Sequence, residues 1–229
     1  MAPTASALIF LHGSGDSGNG VRMWLEHASQ GAWQRAMADA GIRVVYPDAP
    51  TVPYTLMRGH MMPVWFDRVA MAYNAPEDKE GMARSVEQVD VEIDRLVAEG
   101  VPAESIGVVG FSMGGCLALH VVYGRSRYAG KLALCGAMST FLAEDSSVDA
   151  LAARRFAGEA ARRPPPIFVA HGSEDQMIQP AWAEATRKRL GAASIKVPDA
   201  MTMYRTAHDL CQPEVEALTE FVLRHLKAS

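Results

Sequence analysis

A serine set between two glycines, in Gly110-Phe111-Ser112-Met113-Gly114, is the group in this chain best suited to covalent chemistry. A serine hydroxyl is a weak nucleophile, so that chemistry needs a histidine to take its proton and a carboxylate to orient the histidine. Four histidines follow Ser112: His120, His171, His208 and His225. His120 falls inside the apolar run just after the serine and His225 in the C-terminal amphipathic segment, which makes both structural. His171 ends an apolar run and would serve as base only if its acid came from earlier in the chain; it reads as a loop anchor. His208 follows the last strand-like segment in Arg205-Thr206-Ala207-His208, where the base belongs when the chain order is serine, acid, histidine. Glu174 and Asp175 compete for the acid. Asp175 is preferred as the shorter, more rigid orienter, although an N-cap region for the next helix would account for the same pair.

These side chains need a scaffold that brings them together. Ile106 to Phe111 is an apolar run of strand type, and Cys116-Leu117-Ala118-Leu119-His120-Val121-Val122 suits a buried helix. A strand, a tight turn at a serine and a helix make the G-x-S-x-G nucleophile elbow, whose helix N-terminus offers free backbone N–H groups and a positive dipole end. Two backbone donors are then expected to receive a developing oxyanion. One is the N–H of Met113; the other is that of Ser14, in the loop His12-Gly13-Ser14-Gly15-Asp16-Ser17-Gly18 after the buried strand Ala7–Leu11.

The spacing elsewhere predicts a helix over Met23–Ala40 stopped by Gly41, and a strand over Ile42–Tyr46. It also predicts an amphipathic helix over Ser85–Glu99 and a strand over Lys131–Cys135. The strands Ile167–Ala170 and Met201–Tyr204 and the helices Pro180–Leu190 and Pro213–Leu226 complete the pattern. Arg154, Arg155, Arg162 and Arg163 read as a solvated face. Between Thr51 and Pro76 regularity is lost. There Met57, Met61, Met62, Trp65, Phe66 and Met71 could form an adaptable apolar wall for a substrate, and plain core packing explains each of them singly as well. Continuously apolar strands alternating with helices indicate an α/β fold, a mostly parallel sheet covered on both faces, in one domain over residues 1–229.

Composition narrows the function. A chain of 229 residues, 49% hydrophobic and 21% charged, with net charge −4, has no basic block for nucleic acid or an anionic membrane. Three scattered cysteines, Cys116, Cys135 and Cys211, with no C-x-x-C, read as buried free thiols in a reducing compartment and disfavour zinc. The start Met1-Ala2-Pro3-Thr4-Ala5-Ser6 lacks a basic n-region, and no run approaches a membrane span, so a cytoplasmic location is expected. Gly13 to Gly18 also matches G-x-G-x-x-G, with Asp48 ending the next strand as a ribose-binding acid would. Asn19 and Gly20 are expected to delay the helix, unlike a dinucleotide fingerprint, and that reading leaves the elbow unexplained.

With Leu8–Gly18, Val64-Trp65-Phe66-Asp67-Arg68, Gly110–Cys116 and His171–Asp175 together, the chain resembles the acyl-protein thioesterase/lysophospholipase family over nearly its whole length. The resemblance implies a compact α/β-hydrolase acting as a serine esterase or thioesterase without cofactor or metal. Ser112, Asp175 and His208 would be the triad, and Ser14 and Met113 the oxyanion donors. The implied partners are a small ester or an S-acylated protein, with no nucleic acid and no stable membrane insertion, and the implied assembly is a monomer or weak homodimer. Two features depart from the family pattern: Met113 stands where many acyl-protein thioesterases carry Gln, and Thr55–Met62 is unusually rich in methionine. A non-catalytic hydrolase-derived binding module, or a peptidase or interfacial lipase, are the competing functions. The intact residue set argues against the first, and the absence of a sizeable lid segment against the others.

Overall fold

A strand apolar at every position must be covered on both faces, and side-by-side parallel strands under two layers of helix satisfy that demand. The computed structural model describes residues 6–157 and 163–226. Along the chain run β1 (Ser6–Leu11), α1 (Gly18–Ala28), α2 (Ala32–Asp39), β2 (Ile42–Val45), β3 (Thr51–Tyr54), β4 (His60–Pro63) and α3 (Lys79–Ala98). Then follow β5 (Ile106–Phe111), α4 (Met113–Leu119), β6 (Leu134–Met138), α5 (Val148–Phe156), β7 (Ile167–Gly172), α6 (Pro180–Ala192), β8 (Thr202–Tyr204) and α7 (Gln212–Leu226). Six strands form one sheet in the order β2-β1-β5-β6-β7-β8, every neighbouring pair parallel. The strand carrying the Ser112 turn therefore lies at the centre, where its ends are fixed from both sides.

Side-chain alternation divides the core. Ala7, Ile9, Leu11, Val108 and Ala137 pack with Val86, Ile93, Leu117 and Leu190 beneath the layer of α3, α4, α5 and α6. Leu8, Phe10, Val109, Phe111 and Met138 pack instead with Leu25, Trp33, Leu218 and Val222 from α1, α2 and α7. Among the described residues no helix is long and apolar enough to cross a membrane.

Several local expectations shift. The helix expected over Met23–Ala40 is two helices, because Gln30 and Gly31 take left-handed backbone between them (φ 51° and 75°). Helix α1 opens at Gly18, with the Ser17 hydroxyl capping the Gly20 N–H at 2.9 Å, so no polar gap precedes it. The dinucleotide reading fails for a different reason. Gly18 N–H donates to the Asp48 carboxylate at 2.7 Å and Gly20 N–H to Ser17, which spends the donors a pyrophosphate would need. Part of the irregular Thr51–Pro76 stretch is an antiparallel hairpin of β3 and β4, its strand signal masked by Pro53 and Pro63. Helix α3 begins six residues early because Asp78 caps the Gly81 N–H. The strand expected over Lys131–Cys135 is β6, shifted toward Met138, since Lys131 is held in a turn by Tyr128 O and pairing starts only at Ala133. The helix after the elbow ends as α-helix at Leu119 and continues as a π-turn over His120–Gly124, closed by Arg125 N–H on His120 O. Of the arginines read as a solvated face, Arg154 and Arg163 are exposed. Arg155 is half-buried and donates to the carbonyls of Tyr123 and Gly124, satisfying helix-end acceptors. Arg162 lies outside the described residues. Cys116 and Cys135 are buried free thiols; Cys211 is free but only partly buried, because it precedes α7 on a surface loop.

Candidate active site

Ser112 holds a backbone conformation that L-residues avoid, φ 54° and ψ −119°. It persists because the turn is fixed on both sides: Ser112 N–H donates to Met138 O at 2.9 Å, and Cys116 N–H returns to Ser112 O at 3.2 Å. The close crossing of α4 over the strands needs a bare backbone at Gly114. A Cβ there would lie 2.2 Å from Leu11 O.

Two loops at the carboxyl ends of β7 and β8 carry the other candidates. Ser173 N–H donates to Tyr204 O (2.7 Å) and Glu174 N–H to Thr206 O (3.0 Å), so these loops are stitched together. Gly172 permits that approach; a Cβ on it would meet Ala207 O at 2.1 Å. The result is a continuous chain of polar contacts. His208 Nε2 lies 2.9 Å from Ser112 Oγ, and His208 Nδ1 lies 2.7 Å from Asp175 Oδ2. The imidazole packs against Phe111 at 4.9 Å between ring centres. Asp175 is buried, and its second oxygen accepts the N–H groups of Met177 (2.9 Å) and Ile178 (2.8 Å). The carboxylate thus both organises its own loop and faces the histidine. Glu174 instead pairs with Arg205 in solvent.

The remaining histidines have other tasks. His171 is fully buried and its Nε2–H donates to Ile178 O at 2.8 Å, leaving Nδ1 without a partner; burial holds its pKa below the usual histidine value. It braces the Asp175 loop from beneath. His120 is fully buried beside the Glu77 carboxylate at 2.8 Å, in the π-turn that follows α4. His225 stacks on Phe221. The first loop is held by a histidine that sequence reasoning passed over. His12 is buried, accepts Ala49 N–H on Nε2 (3.0 Å) and therefore carries its proton on Nδ1, which donates to Gly13 O (2.7 Å). Burial lowers its pKa, in keeping with a neutral ring. Trp65 Nε1–H donates to His12 O (2.9 Å) and Gly15 N–H to Pro63 O (2.9 Å), which pins the loop to the hairpin. Among the described residues neither the Ser14 N–H nor the Met113 N–H donates a hydrogen bond within the protein.

A groove of about 410 Å³ opens beside Ser14. Met57, Met62 and Met71 line it as anticipated, joined by Tyr54 and Leu56. The other anticipated wall residues do not. Met61 points into solvent at 61% exposure, since β4 alternates its sides. Trp65 and Phe66 are core residues bordering a different groove between β3 and α3. Gln176, Met177, Gln179 and Trp182, from the Asp175 loop and α6, complete the lining. Their only sequence signal is nearness to Asp175.

One buried acid sits just past His208. Glu214, in the first turn of α7, is fully buried with both carboxyl oxygens unpartnered among the described residues, and burial raises its pKa to about 8. Between its ordinary value and about 8 the folded protein keeps a proton that the unfolded chain has lost, so stability falls as pH rises through that window. Glu214→Gln removes the titration. Its melting temperature is expected to match wild type near pH 5 and to exceed it by roughly 5–10 °C near pH 9. Thermal melts at the two pH values check this; an equal shift at both would contradict it.

The model for the family described as Phospholipase/Carboxylesterase matches residues 1–226. Mouse lysophospholipase-like protein 1 is 33% identical over 224 residues, covering 97% of this chain and 87% of the mouse protein. Acyl-protein thioesterase 1 of Neurospora crassa is 30% identical, covering 99% of this chain and 89% of its own length. Among solved structures, Arabidopsis thaliana SOBER1 superposes with a TM-score of 0.79 at 24% identity, over 97% of this chain and 99% of that one.

Proposed function

Because the chain belongs to the phospholipase/carboxylesterase family and is a hydrolase of the α/β-hydrolase type, we propose that it cleaves carboxylic esters or acyl thioesters through an acyl-enzyme on Ser112. The observation that carries this reading is the His208 ring spanning Ser112 Oγ and Asp175 Oδ2 at 2.9 and 2.7 Å, with a groove of mostly apolar lining opening beside Ser14.

His208 Nε2 takes the Ser112 proton as the oxygen attacks the acyl carbonyl. The tetrahedral oxyanion is received by the N–H groups of Met113 and Ser14, donors held ready by the elbow and by the His12 loop. Asp175 keeps the Nδ1–H tautomer and stabilises the imidazolium. Collapse expels an alcohol, which leaves with the proton from His208, or a thiol, which needs it less. Water then follows the same path, releasing the carboxylic acid and restoring Ser112. The acyl chain lies along Met57, Met62, Met71 and Trp182, whose thioethers and ring give adaptable apolar contact. The free cysteines support the expected cytoplasmic location.

The substrate class is tested by a p-nitrophenyl ester series run beside an S-acylated peptide. kcat/KM is expected to rise with acyl length by several-fold per methylene pair until the groove is filled, and the thioester peptide to be cleaved. A rate that falls steadily from acetate onward, with an inert thioester, would make the protein a short-chain carboxylesterase with no role on acylated proteins. Release of fatty acid from a lysophospholipid in preference to both would identify a lysophospholipase.

A further inference from the structure

Four thioethers, Met57, Met62, Met71 and Met177, line the groove. Two of them are open to water: Met57 is 46% exposed on the hairpin turn, and Met177 is 52% exposed two residues beyond Asp175. They come from separate elements, the connection between β3 and β4 and the loop after β7. The thiols, in contrast, are poor targets for an oxidant. Cys116 and Cys135 are fully buried, and burial pushes the Cys116 thiol up to about 12 and that of Cys135 upward too, so almost no thiolate forms. Cys211 is partly exposed, and burial raises its thiol as well. A peroxide therefore meets the groove thioethers under conditions where Cys116 and Cys135 are protected.

We propose that Met57 and Met177 form an oxidation site that switches the groove from long to short acyl chains, an inference resting on the reading of that groove as the acyl site. A sulfur lone pair attacks one oxygen of hydrogen peroxide, the S–O bond forms as the O–O bond breaks, and a proton passes to the departing oxygen, which leaves as water. The thioether is oxidised by two electrons to the sulfoxide and the peroxide is reduced. The sulfoxide oxygen is a strong acceptor facing an apolar groove, so it retains water and forfeits the contacts an extended acyl chain would make. Ser112, His208 and Asp175 have no part in the oxidation, and an acetyl group does not extend along the groove. Reduction of the sulfoxides by methionine sulfoxide reductases restores the original surface.

The test is graded hydrogen peroxide treatment of the whole protein, with oxygen uptake mapped by peptide mass and kcat/KM measured on p-nitrophenyl octanoate and acetate. As oxygen accumulates at Met57 and Met177, octanoate turnover is expected to fall about tenfold while acetate stays within about twofold. Sulfoxide reductases should reverse the loss. The pair Met57→Leu and Met177→Leu should hold its own starting octanoate-to-acetate ratio through the same dose. Oxygen at both methionines with an unchanged ratio would overturn the proposal. So would an equal fall in the leucine pair, or loss of acetate hydrolysis before either methionine is oxidised. Untreated protein inert toward both esters would instead strike at the hydrolase reading, and take the switch with it.

Discussion

Ser112→Ala is expected to lower ester hydrolysis on the order of 10⁶-fold while leaving the protein folded. The size follows from the proposed mechanism, in which the hydroxyl ends the contact chain through His208 to Asp175: without it the proposed base would have nothing to activate and no acyl-enzyme would form. The fold should persist because the elbow is held by backbone contacts, Ser112 N–H on Met138 O and Cys116 N–H on Ser112 O, which alanine keeps. The melting temperature is therefore expected within about 2 °C of wild type. Residual activity of about 10³-fold over water would remain from the oxyanion donors and substrate binding. Full turnover of p-nitrophenyl acetate by the folded variant would remove Ser112 from the chemistry.

Asp175→Asn should cost about 10⁴-fold in kcat with little change in KM. The amide is the same size as the carboxylate, and its carbonyl oxygen can still accept the Met177 and Ile178 N–H groups, so the loop keeps its shape. The other end then presents an NH₂ to His208 Nδ1 and favours the tautomer whose Nε2 already bears a proton. Such a ring cannot take the Ser112 proton. Steady-state kinetics beside a thermal melt separate this from loop collapse, which would raise KM and lower stability together. A variant with undiminished kcat would show that the contact between His208 and Asp175 is structural only.

The parts of the molecule fixed by local chemistry were legible in the sequence. Uninterrupted apolar runs marked β1, β5 and β7, and chain order with loop position pointed to Asp175 and His208, which the fold brings within 2.7 Å of each other. What escaped depended on distant partners. Nothing in Gln176–Trp182 signals a groove wall, because those residues face it only once the β7 loop is stitched to β8. His12 looks like any loop histidine until Ala49 supplies the donor that fixes its tautomer. Trp65 and Phe66 have the chemistry of a binding wall, and only burial on the far side of the hairpin assigns them to the core. The break between α1 and α2 was hidden because the apolar spacing continues across Gln30 and Gly31 while their backbone does not.

Whether Ser112 is an activated nucleophile can be read from covalent labelling. Wild-type protein treated with a fluorophosphonate probe should take up one equivalent, mapped to Ser112, with labelling abolished in Ser112→Ala and slowed at least 10²-fold in Asp175→Asn. Folded wild-type protein that stays unlabelled, or carries the adduct on another residue, would contradict the account.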